Sequence, residues 1–91
     1  MLSKKASEDM KNELFDLILS LKSREECKLL FDDLCTGKEI NNMAQRVRAA
    51  KLLMQNKTYN EVIAETDISS ATLSRVSRCV QYGEGYTKFI K

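Results

Sequence analysis

The near absence of residues that interrupt helices is the strongest constraint on how this chain can fold. Its 91 residues include no proline and only three glycines, at positions 37, 83 and 85. Glycine and proline are the residue types that most disfavour the interior of a helix. The sequence therefore predicts an all-α protein of five to six helices joined by short turns.

Short hydroxyl-to-glutamate patterns predict where two of these helices begin. The segments Ser23-Arg24-Glu25-Glu26 and Thr58-Tyr59-Asn60-Glu61 both have the capping-box form. In that form a side-chain oxygen accepts a hydrogen bond from the backbone N–H three residues later. Ser7 is expected to cap the first helix, because Glu8 and Asp9 follow it and a helix dipole favours anions in the first turn.

Glycine and apolar spacing predict the remaining helix boundaries. We expect Gly37 to end the second helix as its C′ residue, and a third helix to run from about Lys38 to Asn56. One of Ser69 and Ser70 is expected to cap a fifth helix that ends near Tyr82. The apolar stripe predicted for the third helix consists of Ile40, Met43, Val47, Ala50 and Met54, widened by Leu52 and Leu53.

The length of the chain predicts one domain that needs a partner subunit. A monomer of this size buries only roughly 60–65% of the surface of its unfolded chain, which leaves it marginally stable. We expect a single domain over residues 1–91. Within it, residues 1–56 form the predicted helical dimerisation part, residues 57–82 a helix-turn-helix and residues 83–91 a short C-terminal tail.

Charge is distributed unevenly along the chain, although the net charge is only +2. Residues 1–45 carry seven Lys or Arg and nine Asp or Glu, a net charge of −2, whereas residues 46–91 carry eight and four, a net charge of +4. A mildly basic C-terminal half is compatible with a polyanionic partner.

Several functional classes lack the residues that they require. Because the chain has no histidine and no glycine-rich phosphate loop, we expect no enzyme. Cys27, Cys35 and Cys79 are odd in number and widely spaced, which argues against a disulfide framework and against a zinc or other metal site. The apolar runs are too short to span a membrane and no signal peptide is recognisable, so we expect a cytoplasmic protein with no membrane partner.

Residues 58–80 have the layout of a DNA-binding helix-turn-helix, with a short helix, a break at residues 66–68 and a second helix. Asp67 stands in the turn, where glycine is usual because the backbone is left-handed. The apolar residues with the offsets needed to join the two helices are Val62, Ile68, Leu73 and Val76. The alternative interpretation is an ordinary amphipathic surface helix whose serines only cap its start.

The second helix of this motif presents small hydroxyl-bearing and cationic residues suited to the major groove. Hydroxyls bond phosphates or base edges, methyl groups touch thymine methyls, and arginine is the commonest reader of guanine. The predicted base-facing residues are Ser70, Ala71, Thr72, Ser74, Arg75 and Arg78. The predicted phosphate-contacting residues are Lys57, Thr58, Tyr59, Asn60 and Ser69. The alternative interpretation of Lys57 is a solvated lysine in a loop that contacts no phosphate.

Three segments of the chain resemble the Trp repressor (TrpR) superfamily, and more closely its YerC/YecD-type, TrpR-related branch. They are QRVRAAKLL at 45–53, TYNEVIAET at 58–66 and SATLSRVSRCVQYG at 70–83. The resemblance implies an intertwined all-helical homodimer that binds double-stranded DNA. Its two-fold axis would place two recognition helices about 34 Å apart, in successive major grooves of a palindromic site.

The resemblance also implies where an effector would bind. In the repressor, two arginines hold the carboxylate of tryptophan and stack on its indole, and they match Arg46 and Arg75 here. Val76 replaces a glycine and Cys79 a serine of that pocket, and an isopropyl group at Val76 would fill it. We therefore expect no cofactor and no tryptophan corepressor, and the sequence identifies no other small-molecule effector. Arg46 has the alternatives of lying exposed, contacting a phosphate or pairing with a carboxylate.

Together these patterns predict a sequence-specific regulator of transcription, acting as a repressor through a homodimeric helix-turn-helix. Two alternatives remain open from the sequence. The same fold could serve as a protein-interaction module without DNA binding, or as a sensor gated by a small ligand at Arg46 and Arg75.

Overall fold

A computed structural model describes residues 1–91 as six helices without a strand, so the all-α prediction is confirmed. The helices are α1 (Lys4–Leu19), α2 (Arg24–Leu34), α3 (Gly37–Met54), α4 (Tyr59–Thr66), α5 (Ser70–Tyr82) and α6 (Gly85–Phe89). They form two compact units, Met1–Thr36 with α1 and α2, and Gly37–Lys91 with α3 to α6. The single domain proposed from length stays a prediction.

Both capping boxes begin helices, as predicted. The Ser23 hydroxyl oxygen accepts a hydrogen bond of 3.1 Å from the N–H of Glu26. The Thr58 oxygen accepts one of 3.2 Å from the N–H of Glu61. The carboxylate of Glu26 reaches back past the cap and accepts from the N–H of Lys22 at 2.8 Å. Each box therefore satisfies backbone donors that a helix start would otherwise leave unpaired.

The predicted cap of the first helix was wrong. Ser3, not Ser7, is the N-cap of α1, and its hydroxyl oxygen accepts a hydrogen bond from the N–H of Ala6 at 3.1 Å. The N–H of Ser7 donates to the carbonyl of Ser3, which places Ser7 inside the helix. The two lysines and the alanine between these serines all favour helix, so the helix extends back to the earlier hydroxyl.

The predicted boundary around Gly37 also needs correction. Helix α2 ends at Leu34 with an extended Cys35 as its C-cap, and Gly37 is the first residue of α3. No glycine in the chain has a positive φ, so none serves as a left-handed C′ residue. Instead Asn56, with φ of 65°, takes that role after α3, and the N–H of Lys57 donates to the carbonyl of Leu52 at 3.1 Å.

The core of the second unit lies where α3, α4 and α5 meet. Ala49 and Ala50 are fully buried on α3, and their small side chains let the neighbouring helices approach its backbone closely. Val47 of the predicted stripe is instead 50% exposed. The full set of buried apolar residues is Ala49, Ala50, Leu52, Val62, Ile68, Leu73 and Val76. Tyr86 and Ile90, in and after α6, pack against this cluster.

The first unit buries no residue of either helix. Helices α1 and α2 carry apolar side chains at helical spacing, yet none of these is buried within the chain. Leu19, for example, is 80% exposed. The most exposed apolar residues of the two helices are Met10, Phe15, Leu17, Leu19, Leu29 and Leu34. None of the six helices is both long and apolar enough to traverse a lipid bilayer.

Candidate nucleic-acid interface

The turn between α4 and α5 is fixed by local and long-range hydrogen bonds. Asp67 has the left-handed backbone expected there, with φ of 59° and ψ of 24°. Its N–H donates to the carbonyl of Ile63 at 2.8 Å. The Thr66 hydroxyl donates to the carbonyl of Val62 at 2.7 Å and accepts from the N–H of Ile68 at 3.3 Å. These bonds end α4 and fix the direction in which the chain enters α5.

Gln45 of α3 ties this turn to the rest of the unit. Its side-chain amide donates to the carbonyl of Thr66 at 2.8 Å, across 21 residues of sequence. Sequence reasoning did not identify Gln45 or Thr66 as supports of the turn. Gln45 entered the sequence analysis only as the first residue of QRVRAAKLL, and no local pattern indicates a bond to a residue 21 positions away.

The apolar contacts that join α4 to α5 are those predicted. Val62, Ile68, Leu73 and Val76 are all buried, each with 2% or less of its surface exposed. Because these four side chains occupy the inner face, the opposite face of α5 is directed to solvent. The predicted helix-turn-helix is therefore present in the fold.

The outer face of α5 consists of the residues predicted to face bases. Ser70, Ala71, Ser74, Arg75 and Arg78 are all exposed. No ion pair or side-chain hydrogen bond within the chain engages the two serines or the two arginines. Their donors and acceptors are therefore free for an external ligand.

The start of α5 is capped by Ser69. Its hydroxyl oxygen accepts from the N–H of Thr72 at 3.2 Å and lies 2.9 Å from the Thr72 hydroxyl oxygen. The N–H of Leu73 donates to the Ser69 carbonyl at 2.9 Å. The amides of Ser70 and Ala71 have no partner within the helix, so the positive end of its dipole is open to an anion.

The residues predicted to contact phosphates at α4 differ in how free they are. The Thr58 hydroxyl is occupied as the N-cap. The Lys57 ammonium lies 4.0 Å from a carboxylate oxygen of Glu61, and both side chains are about half exposed. Such a pair at the surface is weak. Tyr59 and Asn60 are exposed. Lys57, Tyr59 and Asn60 are therefore available to a ligand, whereas Thr58 mainly shapes the helix start.

Arg46 lies beside the start of α5, in a polar cavity of about 360 Å³. It is half-buried and forms no ion pair, so the proposed pairing with a carboxylate is not found. The residues that line the cavity are Asn42, Gln45, Arg46, Asp67, Ser69 and Thr72. Arg75 is not among them, so the structure does not bring the two predicted effector arginines into one cavity. Val76 is buried in the core instead.

Comparison with known proteins places this geometry in a family. Residues 9–91 match the profile of the family described as Trp repressor protein. The uncharacterized protein YerC of Bacillus subtilis (strain 168) is 51% identical over 72 residues, which cover 79% of this chain and 69% of YerC.

Two crystal structures share the fold over nearly the whole chain. A candidate Trp repressor from Staphylococcus aureus is 45% identical, with a TM-score of 0.85 over 96% of this chain and 88% of that one. A TrpR-like protein from Eubacterium eligens ATCC 27750 is 40% identical, with a TM-score of 0.86 over 93% of this chain and 89% of that one. The chain belongs to the Trp repressor family.

Proposed function

We propose that the protein regulates transcription, as a repressor, by binding double-stranded DNA in a sequence-specific manner. The observation that carries this proposal is the outer face of α5, whose exposed serines and arginines have no partner within the chain. These side chains are hydrated in the free chain, and the same small hydroxyl and arginine side chains are those that a helix in the major groove uses to contact bases.

The side chains of α5 that we propose to contact bases are of two lengths. Ser70, Ala71 and Ser74 are small, so the helix approaches the base edges closely and contacts thymine methyls or accepts and donates hydrogen bonds. Arg75 projects from the same face and has the fork geometry that pairs with guanine O6 and N7. We assign base reading to these four residues, with Thr72 and Arg78 at the margins of the contact.

Phosphate contacts would orient α5 in the groove. Lys57, Tyr59 and Asn60 surround the start of α4, and Ser69 marks the start of α5. Both helix starts present unpaired backbone N–H groups, which favour the negative charge of a phosphate. These contacts carry no sequence information, so they would set the register and leave specificity to α5.

We propose that the functional species is a homodimer. None of the apolar side chains that α1 and α2 carry at helical spacing is buried within one chain, and a second copy of the chain would supply the surface that covers them. A second copy would cover equivalent residues by two-fold symmetry. Membership in the Trp repressor family supports the same arrangement.

Selection of bound sites from a pool of random duplexes, with the purified full chain, tests the proposal. We expect enrichment of a palindrome whose half-sites lie about one helical turn apart, since two recognition helices related by a two-fold axis require it. An Arg75→Ala variant should enrich a looser version of the same sequence. Recovery of no common sequence by the unmodified protein would refute sequence-specific DNA binding.

Exposed apolar residues also favour a second candidate function, a protein-interaction module that does not bind DNA. Phe89 of α6, which lies outside the α1 and α2 surface assigned to a second copy, is 73% exposed. A salt titration separates the two functions. DNA binding weakens steeply with salt because each neutralised phosphate releases counterions, whereas an apolar protein interface responds little.

A further inference from the structure

A second cleft lies at the junction of α3, α4 and α5. Its volume is about 330 Å³, several times that of a phosphate group. The residues that line it are Leu53 and Asn56 near the end of α3, Lys57, Thr58 and Tyr59 at the start of α4, and Ser77, Val80 and Gln81 in the second half of α5. We call it the Ser77 cleft.

Ser77 is the buried polar residue of the chain, with 9% of its surface exposed. Its hydroxyl makes no hydrogen bond within the chain, unlike that of Thr66, which bonds to the carbonyl four residues earlier. No fully enclosed side-chain polar atom of the chain lacks a partner, so the Ser77 oxygen must keep an opening. The cleft that Ser77 lines is where we place this opening. Through this opening the hydroxyl is accessible to water in the free chain, and a ligand in the cleft can take the place of that water as its hydrogen-bond partner.

The remaining lining of the Ser77 cleft favours a negatively charged ligand. Lys57 is the only charged residue among those that line it, and the carboxylate of Glu61, 4.0 Å from the Lys57 ammonium, is not among the lining residues. The other polar groups are neutral hydroxyls and side-chain amides. At the start of α4 the N–H groups of Glu61 and Val62 bond to Thr58, which leaves those of Tyr59 and Asn60 without a helical partner. Unpaired amides at a helix start attract anions.

We propose that the Ser77 cleft binds a phosphoryl oxyanion, with the Ser77 hydroxyl and the Lys57 ammonium as its side-chain donors. Charge-assisted hydrogen bonds of this kind are stronger than those between neutral groups. Two sources supply this chemistry, a backbone phosphate of DNA and a free phosphorylated small molecule. The first source rests on the function proposed above, whereas the second is independent of DNA.

The free anion is tested by titrating the full chain with inorganic phosphate at constant ionic strength, followed by amide NMR. We expect saturable shifts at Asn56 and Gln81. Ser77→Ala should weaken this binding about tenfold, the effect of losing one hydrogen bond to a charged group. Cys79→Ala, on the same helix but outside the cleft, is the matched control and should bind like the unmodified chain. Amide shifts that do not saturate and that spread over all basic residues would exclude binding of free phosphate in the cleft. Equal phosphate affinity of the Ser77 variant and the unmodified chain would exclude it as well.

The DNA phosphate is tested by fluorescence anisotropy with a selected duplex and a scrambled duplex. Ser77→Ala should weaken both complexes about tenfold without changing the salt dependence, because serine carries no charge. Cys79→Ala should leave both unchanged. Absence of an effect in both the phosphate and the DNA experiments overturns the proposal. If the unmodified chain binds no DNA at all, the proposed function fails, and the phosphate titration still decides whether the cleft is an anion site.

Discussion

Alanine is expected to be worse than glycine at position 67, the reverse of the order found inside a helix. Asp67 has φ of 59° and ψ of 24°. In that region the Cβ of an L-residue crowds the following carbonyl, at a cost of about 1–2 kcal/mol, and only short polar residues such as aspartate reduce it. Glycine has no Cβ and avoids the cost.

The magnitude follows from two opposing contributions. Asp67→Ala keeps a Cβ and loses the polar side chain, so it should bear the full cost of about 1–2 kcal/mol. Asp67→Gly relieves the strain but adds backbone freedom to the unfolded chain. That added freedom lowers the free energy of unfolding by roughly 0.5–1 kcal/mol. We therefore expect the glycine variant to be the more stable by about 0.75 kcal/mol, the difference between the midpoints of the two ranges. Both variants remove the same carboxylate, so the loss of charge cancels from the difference.

Urea unfolding at one protein concentration measures this difference, because association of subunits would otherwise change the apparent stability. Glu65, exposed near the end of α4, is the matched control. There the glycine variant should be less stable than the alanine variant by about 1 kcal/mol. If Asp67→Ala equals or exceeds Asp67→Gly in stability, the left-handed turn and its role in ending α4 are refuted.

The other predictions concern the core, the interface and the two kinds of DNA contact. Leu73→Ala should lower the free energy of unfolding by about 2–5 kcal/mol in the same urea assay, because Leu73 is fully buried; a smaller loss would mean that the α3–α5 contact is loose. Leu29→Asp should shift the oligomer toward monomer in analytical ultracentrifugation, and an unchanged mass would place the subunit contact elsewhere. Arg75→Ala should weaken the binding free energy by about 1–3 kcal/mol for the selected duplex and by little for a scrambled one. Equal losses for the two duplexes would contradict base reading by Arg75. Lys57→Ala should weaken the binding of both duplexes alike and reduce the slope of log K against log salt concentration by about 1. An unchanged slope would rule out a phosphate contact from Lys57.

The candidate interface was largely predictable because its parts lie close together in sequence. The residues from Lys57 to Arg78 form two short helices and one turn, and their hydroxyl, apolar and cationic positions follow one helical period. Exposure of the outer face of α5 agrees with that pattern. The contribution of each residue to DNA binding stays a prediction until the variants are measured.

Sequence reasoning missed the residues that depend on packing between distant elements. In the sequence, Ser77 is one of several serines on α5. Its burial beside the end of α3 and the start of α4 distinguishes it from the exposed Ser70 and Ser74. Arg46 was paired with Arg75 through the family resemblance, but they do not line the same cavity. The predicted helix boundaries at Ser7 and Gly37 were wrong because α1 extends back to a cap at Ser3 and α2 ends at Leu34, before the glycine.

The sequence by itself determined the helical content, both capping boxes and the break at Asp67. Those features depend on hydrogen bonds between residues four or fewer positions apart, such as that from Glu61 to Thr58, and on the backbone preferences of single residues. Only the tertiary structure decided that α3 buries Ala49 together with the predicted Ala50 and leaves Val47 half-exposed, and that Gln45 supports a turn 21 residues away. Burial depends on which helices meet and how closely, and no local pattern contains that information.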